Sequence, residues 1–418
     1  MTSEAPATDT PRYRWAVLAI GAASTAAMAA AQGGLPALGP ALQHAFGLSL
    51  VEVTGVFTAF GAGTVLTVYA WGALVDRIGE RAVLALGPAL AGLALSSVAL
   101  ADGYGVLLAG VFVAGLFAAA ATGGSGRAVF GWFPRRERGL ALGLRQTAVQ
   151  IGAAAGSFTL PPLAAAVSLD AALLLLSGML VASSLVAAIW LRDPPARVSS
   201  APPSPPAARD PRIWRLGIAS ALLIVSQIGV TSLLVLYLYS ERGWSATAAA
   251  VALGVVQLGG AAARAIAGRW SDVRDERIAP FRRLAVGAGV LLLGAAAFAN
   301  APDAVLVPLL MGGGVLAMSW NGLSFTAAAE ISGGAQAGRA MGMQNMLMRA
   351  AGAMVPLGLG AVAAHGSWRA AFLAMGLAPL AGRALLGPLV DDEDQRRIER
   401  HARLSARSSP SPSAPPLR

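Results

Sequence analysis

Two arginines stand deep inside stretches of the chain that are otherwise apolar. Arg264 precedes Asp272 by eight residues and Arg349 follows Arg339 by ten. On helices rising ~1.5 Å per residue, this sets their Cα atoms ~12 and ~15 Å in from the nearest polar ground, too far for easy snorkelling. Arg145, seven residues beyond Arg138, ranks third. Arg127 and Arg383 are nearer to polar ground, where snorkelling suffices. Helical spacing gathers polar neighbours around the deep cations. Gln146 and Gln150 share one face, Asn345 and Arg349 are one turn apart, and Gln257 lies two turns before Arg264. None of the 21 acidic residues falls in the middle third of an apolar run. A cavity lined by these groups is electropositive, and a guanidinium fork fits a carboxylate through two parallel bonds, so a small organic anion is the expected cargo. The structural alternatives are helix-end carbonyls as partners for the arginines and interhelical hydrogen bonds for the amides.

The elements that must position these residues are set by composition. The 418 residues are 56% hydrophobic and only 12% charged, too little charge for the surface of a soluble enzyme, so lipid is the solvent for most of the chain. The formal charge of +10 would suggest nucleic acid in a soluble protein, but every basic residue is Arg and the cations sit between apolar runs, so no nucleic-acid partner is expected. With no Cys and only His44, His365 and His401, neither disulfides nor a compact metal centre is expected, and nothing calls for a cofactor. No nucleophile with an orienting partner is visible, so the chain reads as a non-enzyme. The N-terminal run is too long for a cleaved signal and reads as a first membrane helix.

Twelve runs are long enough to cross ~30 Å of hydrocarbon. They fall near 14–36, 51–75, 82–101, 104–130, 139–163 and 169–190, then 213–238, 246–270, 284–300, 304–329, 340–364 and 368–390. The expected organisation is an all-α membrane protein of two six-helix bundles: a tail over 1–13, a bundle over 14–191, a linker over 192–211, a bundle over 212–390 and a tail over 391–418. The Pro-rich linker reads as an extended tether, and the tail as a short amphipathic surface stretch followed by disorder. Arg77, Arg81, Arg135, Arg136, Arg138, Arg274, Arg277, Arg282 and Arg283 all fall on one side, which the positive-inside rule makes cytoplasmic. Both termini and the linker share that side, and the expected location is the inner (plasma) membrane, as a monomer.

The halves are repeats. Gly139-LALGLRQTAVQIG aligns with Gly338-RAMGMQNMLMRAA at a constant shift, pairing Arg145 with Gln344, Gln146 with Asn345 and Gln150 with Arg349, and the same shift carries Ser168-LDAA onto Ser367-WRAA. At nearly that shift, Gly72-ALVDRIGER aligns with Gly268-RWSDVRDER. Asp76 ends a span where a carboxylate can accept from a helix N-terminus or pair with a loop Arg, holding one conformation closed. Gly72 is expected to allow close helix approach, and Gly79 a tight turn. Glu330 ends the tenth run.

The Gly72-ALVDRIGER loop resembles the signature loop of the major facilitator superfamily, with Asp76, Arg77, Gly79 and Arg81 in their family places, and Gly268-RWSD with Asp272 resembles the degenerate copy found after the eighth span. The resemblance covers the whole membrane region and implies alternating access around a mid-membrane site between the halves. Arg264-AIAGRWSD is similar to the eighth span of monocarboxylate porters and oxalate/formate exchangers, whose Arg binds substrate carboxylate, and Arg349 is similar to the exchangers' further basic residue in the eleventh span. The porters' first-span Lys is absent, and nitrate carriers also use an eighth-span Arg. A proton-coupled multidrug or metabolite exporter of the same superfamily is the alternative, although SFTLPPL departs from the exporters' fifth-span pattern. Exchange for a counter-anion and cotransport of a proton both fit a cavity without a titratable relay.

Overall fold

The computed structural model describes residues 10–133, 137–193, 210–332 and 337–408. Among the described residues all regular structure is helical: α1 Thr10–Ala37, α2 Gly39–Phe46, α3 Leu50–Val98, α4 Tyr104–Trp132, α5 Arg138–Ala166, α6 Leu169–Trp190, α7 Pro211–Ser240, α8 Ala246–Arg274, α9 Ile278–Ala297, α10 Asp303–Ala317, α11 Asn321–Ser332, α12 Ala337–His365, α13 Trp368–Leu385 and α14 Gly387–Ser408. Serine starts several of them. Ser49 forms a capping box with Glu52, and Ser168, Ser245 and Ser367 each accept the backbone N–H three residues on. Ser168 and Ser367 are the matched serines of the repeat, so the halves share this cap as well as its sequence.

At ~1.5 Å per residue, α3 would be twice the thickness of a bilayer, but Gly79 has φ +88° and ψ 167° and turns the chain back on itself. Its arms are two spans. Counting the arms of α3 as two and α10 with α11 as one broken span, the described helices are consistent with the expected fold of twelve spans in two bundles.

The structure refines three sequence expectations. The run near 304–329 is a span, over Asp303–Ser332, as expected, but its helix breaks at 318–320, leaving carbonyls at the end of α10 without intrahelical partners. The run near 368–390 ends sooner, because the chain bends by 43° after Leu385 and continues as the polar α14 from Gly387. The amphipathic stretch therefore begins before Asp391. The ninth span starts at Ile278, not near 284, because the Glu393 carboxylate accepts the N–H groups of Arg277 (2.6 Å) and Ile278 (3.0 and 3.2 Å) and caps the helix. Burial pushes the Glu393 carboxyl above its ordinary value. The expectations for the linker over 194–209 and for the disordered tail end lie outside the described residues.

The halves do not pack evenly along their length. One apolar core contains residues of both halves, with Phe57, Phe60 and Leu160 alongside Leu236, Val355 and Leu359. Every other apolar cluster belongs to one half: Ile213 to Leu389 in the second, and the Val17, Trp71 and Phe133 clusters in the first. The shared core lies toward the end remote from the Arg-rich loops. Small residues bring the helices together there. A Cβ on Gly360 would sit 2.2 Å from Thr54 Oγ1, and one on Gly61 would sit 3.2 Å from Ala353 Cα. The Thr58 hydroxyl accepts the backbone N–H of Leu357 across the same seam at 3.0 Å. The molecule is thus sealed at the end away from the Arg-rich loops.

Candidate functional site

The site is built where the broken tenth span meets α5, α8 and α12. Arg264, on α8, donates from Nε (3.2 Å) and Nη2 (2.7 Å) to the Met318 carbonyl at the break, from Nη2 to Asn321 Oδ1 (3.3 Å), and from Nη1 to Gln150 Oε1 (3.1 Å). The first contacts satisfy a carbonyl that the break exposes. The last crosses to the other half, so Arg264 is both a strut for the break and a bridge between bundles.

Arg145, on α5, is buried with 9% exposure. It donates from Nη1 to Ser125 Oγ (2.8 Å) and the Thr122 carbonyl (3.3 Å) and from Nη2 to Gln146 Oε1 (3.1 Å), while its Nε is buried without a partner. Arg349, on α12, crosses from the second half to the first. Its one hydrogen bond among the described residues is a long contact of 3.5 Å from Nη2 to Thr122 Oγ1, and its Nε is buried without a partner there. Two guanidinium groups of opposite halves therefore converge on Thr122, and no carboxylate among the described residues hydrogen-bonds to or pairs with either of them, or with Arg264. A guanidinium carries five donors, and an unfilled buried donor costs about 1–3 kcal/mol, so this arrangement is underfilled and cationic.

The sequence-derived candidates thus separate. Arg264 with Gln150, and Arg145 with Gln146 and Arg349, are brought together. Gln257 is buried at 5% exposure and Asn345 is half-buried, and neither makes a hydrogen bond to the cluster.

Sequence reasoning missed two matched triads. In the first half Arg145 donates to Ser125, whose hydroxyl meets Thr25 Oγ1 at 3.0 Å. In the second half Gln344 Nε2 donates to Ser324 Oγ and to Ser220 Oγ (3.0 Å), and the two serine hydroxyls are 2.7 Å apart. Ser125 and Ser324, and Thr122 and Asn321, stand at the same shift as Arg145 and Gln344. That was the available signal.

At the Arg-rich end Asp76 and Arg77 are exposed. Arg81 donates its backbone N–H to Asp193 Oδ1 (3.0 Å) and its guanidinium to the Ala188 carbonyl (2.7 and 2.9 Å). Asp193 therefore caps the second arm of α3 as Glu393 caps α9. Arg277 bridges Asp272 (2.7 Å) and Glu330 (3.2 Å). A Cβ on Gly72, or on Gly268, would meet nothing within 4 Å, while a Cβ on Gly123 of α4 would lie 3.6 Å from the Gly72 backbone nitrogen.

Comparison with known proteins gives a consistent picture. The Major Facilitator Superfamily profile matches residues 18–356. The uncharacterized MFS-type transporters Rv2994 and MT3072, from two strains of Mycobacterium tuberculosis, are each 33% identical over 379 residues, covering 89% of this chain and 84% of theirs. Among solved structures, a bacterial homolog of the human lysosomal transporter Spinster superposes in its inward-facing, occupied form with a TM-score of 0.73 at 15% identity, covering 92% of this chain and 96% of that one. Its unoccupied inward-facing form gives 0.70 at 13% identity with the same coverage. At such identities the likeness is one of fold.

Proposed function

The chain belongs to the major facilitator superfamily, and from that premise we propose that it is a secondary transporter moving a small organic anion, a carboxylate, by alternating access. The observation that carries this reading is the state of Arg349: it lies between the halves with one 3.5 Å contact and an orphaned Nε, beside an Arg145 whose Nε is also orphaned. A carboxylate bound at Thr122 would fill both donors, cancel the repulsion between the cations, and lower the cost of closing the second end of the cavity around them. Gln146 and Asn345 are placed to complete its shell, and Gln150 holds Arg264 in register across the seam. An exporter of cations would need a carboxylate here, and none contacts these arginines among the described residues.

By the positive-inside rule the Arg-rich end is cytoplasmic, so this conformation faces inward, with both termini in the cytoplasm and the chain in the inner membrane. It acts as a monomer, and its anion travels with a proton or against a counter-anion.

The test is a thermal-shift titration of purified protein with mono- and dicarboxylates, nitrate and cationic dyes. Carboxylates should stabilise it, and Arg349→Gln should weaken that binding at least about 100-fold. Stabilisation by the dyes alone would overturn the reading.

A further inference from the structure

A second cationic site lies outside the central cavity. Near the Arg-rich end, the crease between α9 and α13 holds a 360 Å³ cavity lined by Ala279, Arg282, Arg283, Val286 and Arg383. Arg282 and Arg283 lie one turn into α9, and Arg383 stands in the last turn of α13, so three arginines line the cavity at one level of the helix pair. Among the described residues none of the three has a carboxylate partner. At this end Asp272 and Glu330 pair with Arg277, Glu276 pairs with Arg397, and Glu393 caps the start of α9. Arg282 Nε is buried without an acceptor. Arg283 is held in place by the Trp270 face, 5.3 Å from its ring centroid.

These residues are not a by-product of the repeat. At the matched positions the first half has Leu86, Gly87 and Ser184, with Leu86 exposed, so the cluster was built on one half only.

We propose that this crease binds the phosphate headgroup of an anionic phospholipid from the leaflet on the Arg-rich side. Arg282 and Arg383 take the phosphate oxygens from opposite walls, Arg283 adds charge at the mouth, and Ala279 and Val286 offer an apolar floor for the first methylenes of the acyl chains. The position suits a lipid over a soluble anion, because Arg282 and Arg283 stand near the start of one membrane helix and Arg383 near the end of another, where headgroups meet a span. Occupancy would brace α9 against α13 within the second bundle.

The test uses the full-length protein, stripped of lipid in a neutral detergent. It is titrated with phosphatidylglycerol, phosphatidylcholine or inorganic phosphate while bound lipid is counted by native mass spectrometry and the melting temperature is followed. Phosphatidylglycerol should bind and raise the melting temperature, phosphatidylcholine should do neither, and Arg282→Gln with Arg383→Gln should weaken phosphatidylglycerol binding roughly tenfold or more. Arg383→Gln alone, at an exposed helix end, gives the same reading in a smaller step if the double variant does not fold. Undiminished phosphatidylglycerol binding in the variants, equal binding of the two lipids, or a full thermal shift with inorganic phosphate alone would each overturn the proposal.

Discussion

The triad of α1, α4 and α5 and the triad of α7, α11 and α12 are the same device with the donor changed from Arg to Gln and one hydroxyl from Thr to Ser. Each places a hydroxyl pair between helices, Thr25 with Ser125 and Ser220 with Ser324, and each receives a donor from the long helix beside it. In the first half that donor is Arg145, and in the second it is Gln344. One turn deeper the exchange reverses, with Gln150 in the first half and Arg349 in the second. At these two matched positions each bundle therefore keeps one cation and one amide, and Arg145 and Arg349 approach each other across the seam at Thr122. A repeat can preserve its hydrogen-bonded frame while charge is dealt asymmetrically between the halves.

Making the second triad like the first should break the molecule. Gln344 is fully buried with its Oε1 unpaired, so Gln344→Arg buries an uncompensated cation and should cost about 3–5 kcal/mol, seen as loss of folded protein in detergent. Making the first like the second should be tolerated by the fold and not by the function. Arg145→Gln keeps a donor to Ser125 but removes a charged partner of the anion, about 1.5–3 kcal/mol, or roughly 10- to 150-fold in binding.

The loop turns offer a second comparison. Gly79 sits at φ +88°, ψ 167°, a region reserved for glycine, with Asp193 Oδ1 only 2.7 Å from where a Cβ would be. Its counterpart in the second half is Asp275 at φ +50°, a left-handed conformation that aspartate tolerates. Gly79→Ala should cost about 1–3 kcal/mol in thermal unfolding, whereas Asp275→Gly should change stability by less than about 1 kcal/mol. Ser125→Ala and Ser324→Ala should each cost about 1 kcal/mol, but only Ser125→Ala should also alter anion affinity, because only its partner is one of the arginines proposed to bind the anion. Equal effects on affinity would erase the distinction between the triads.

Much of this was legible in the chain. The helices announce themselves through apolar runs that must satisfy their own backbone in lipid, and the repeat is visible because the two α5-like segments retain their residues at fixed spacing. Arg264, Arg349 and Arg145 stand out because charge in an apolar run is expensive and so is rarely incidental. The break at 318–320 was hidden, because Ser319, Trp320 and Asn321 are compatible with a helix, and only the reach of Arg264 to the Met318 carbonyl shows what stabilises the unwound turn. Gln257 looked equivalent to Gln150 on spacing alone, yet packing turns one toward the seam and leaves the other outside the cluster.

What the sequence determined by itself is the number of spans, their pairing into repeats and the depth of each charge, since these follow from length, periodicity and the cost of placing ions in hydrocarbon. Which cations meet, which find acceptors and which remain unfilled was decided only in three dimensions. Those outcomes depend on how two bundles lean together, and the contacts that fix the lean, Thr58 with Leu357 and Arg264 with Gln150, join residues more than a hundred positions apart.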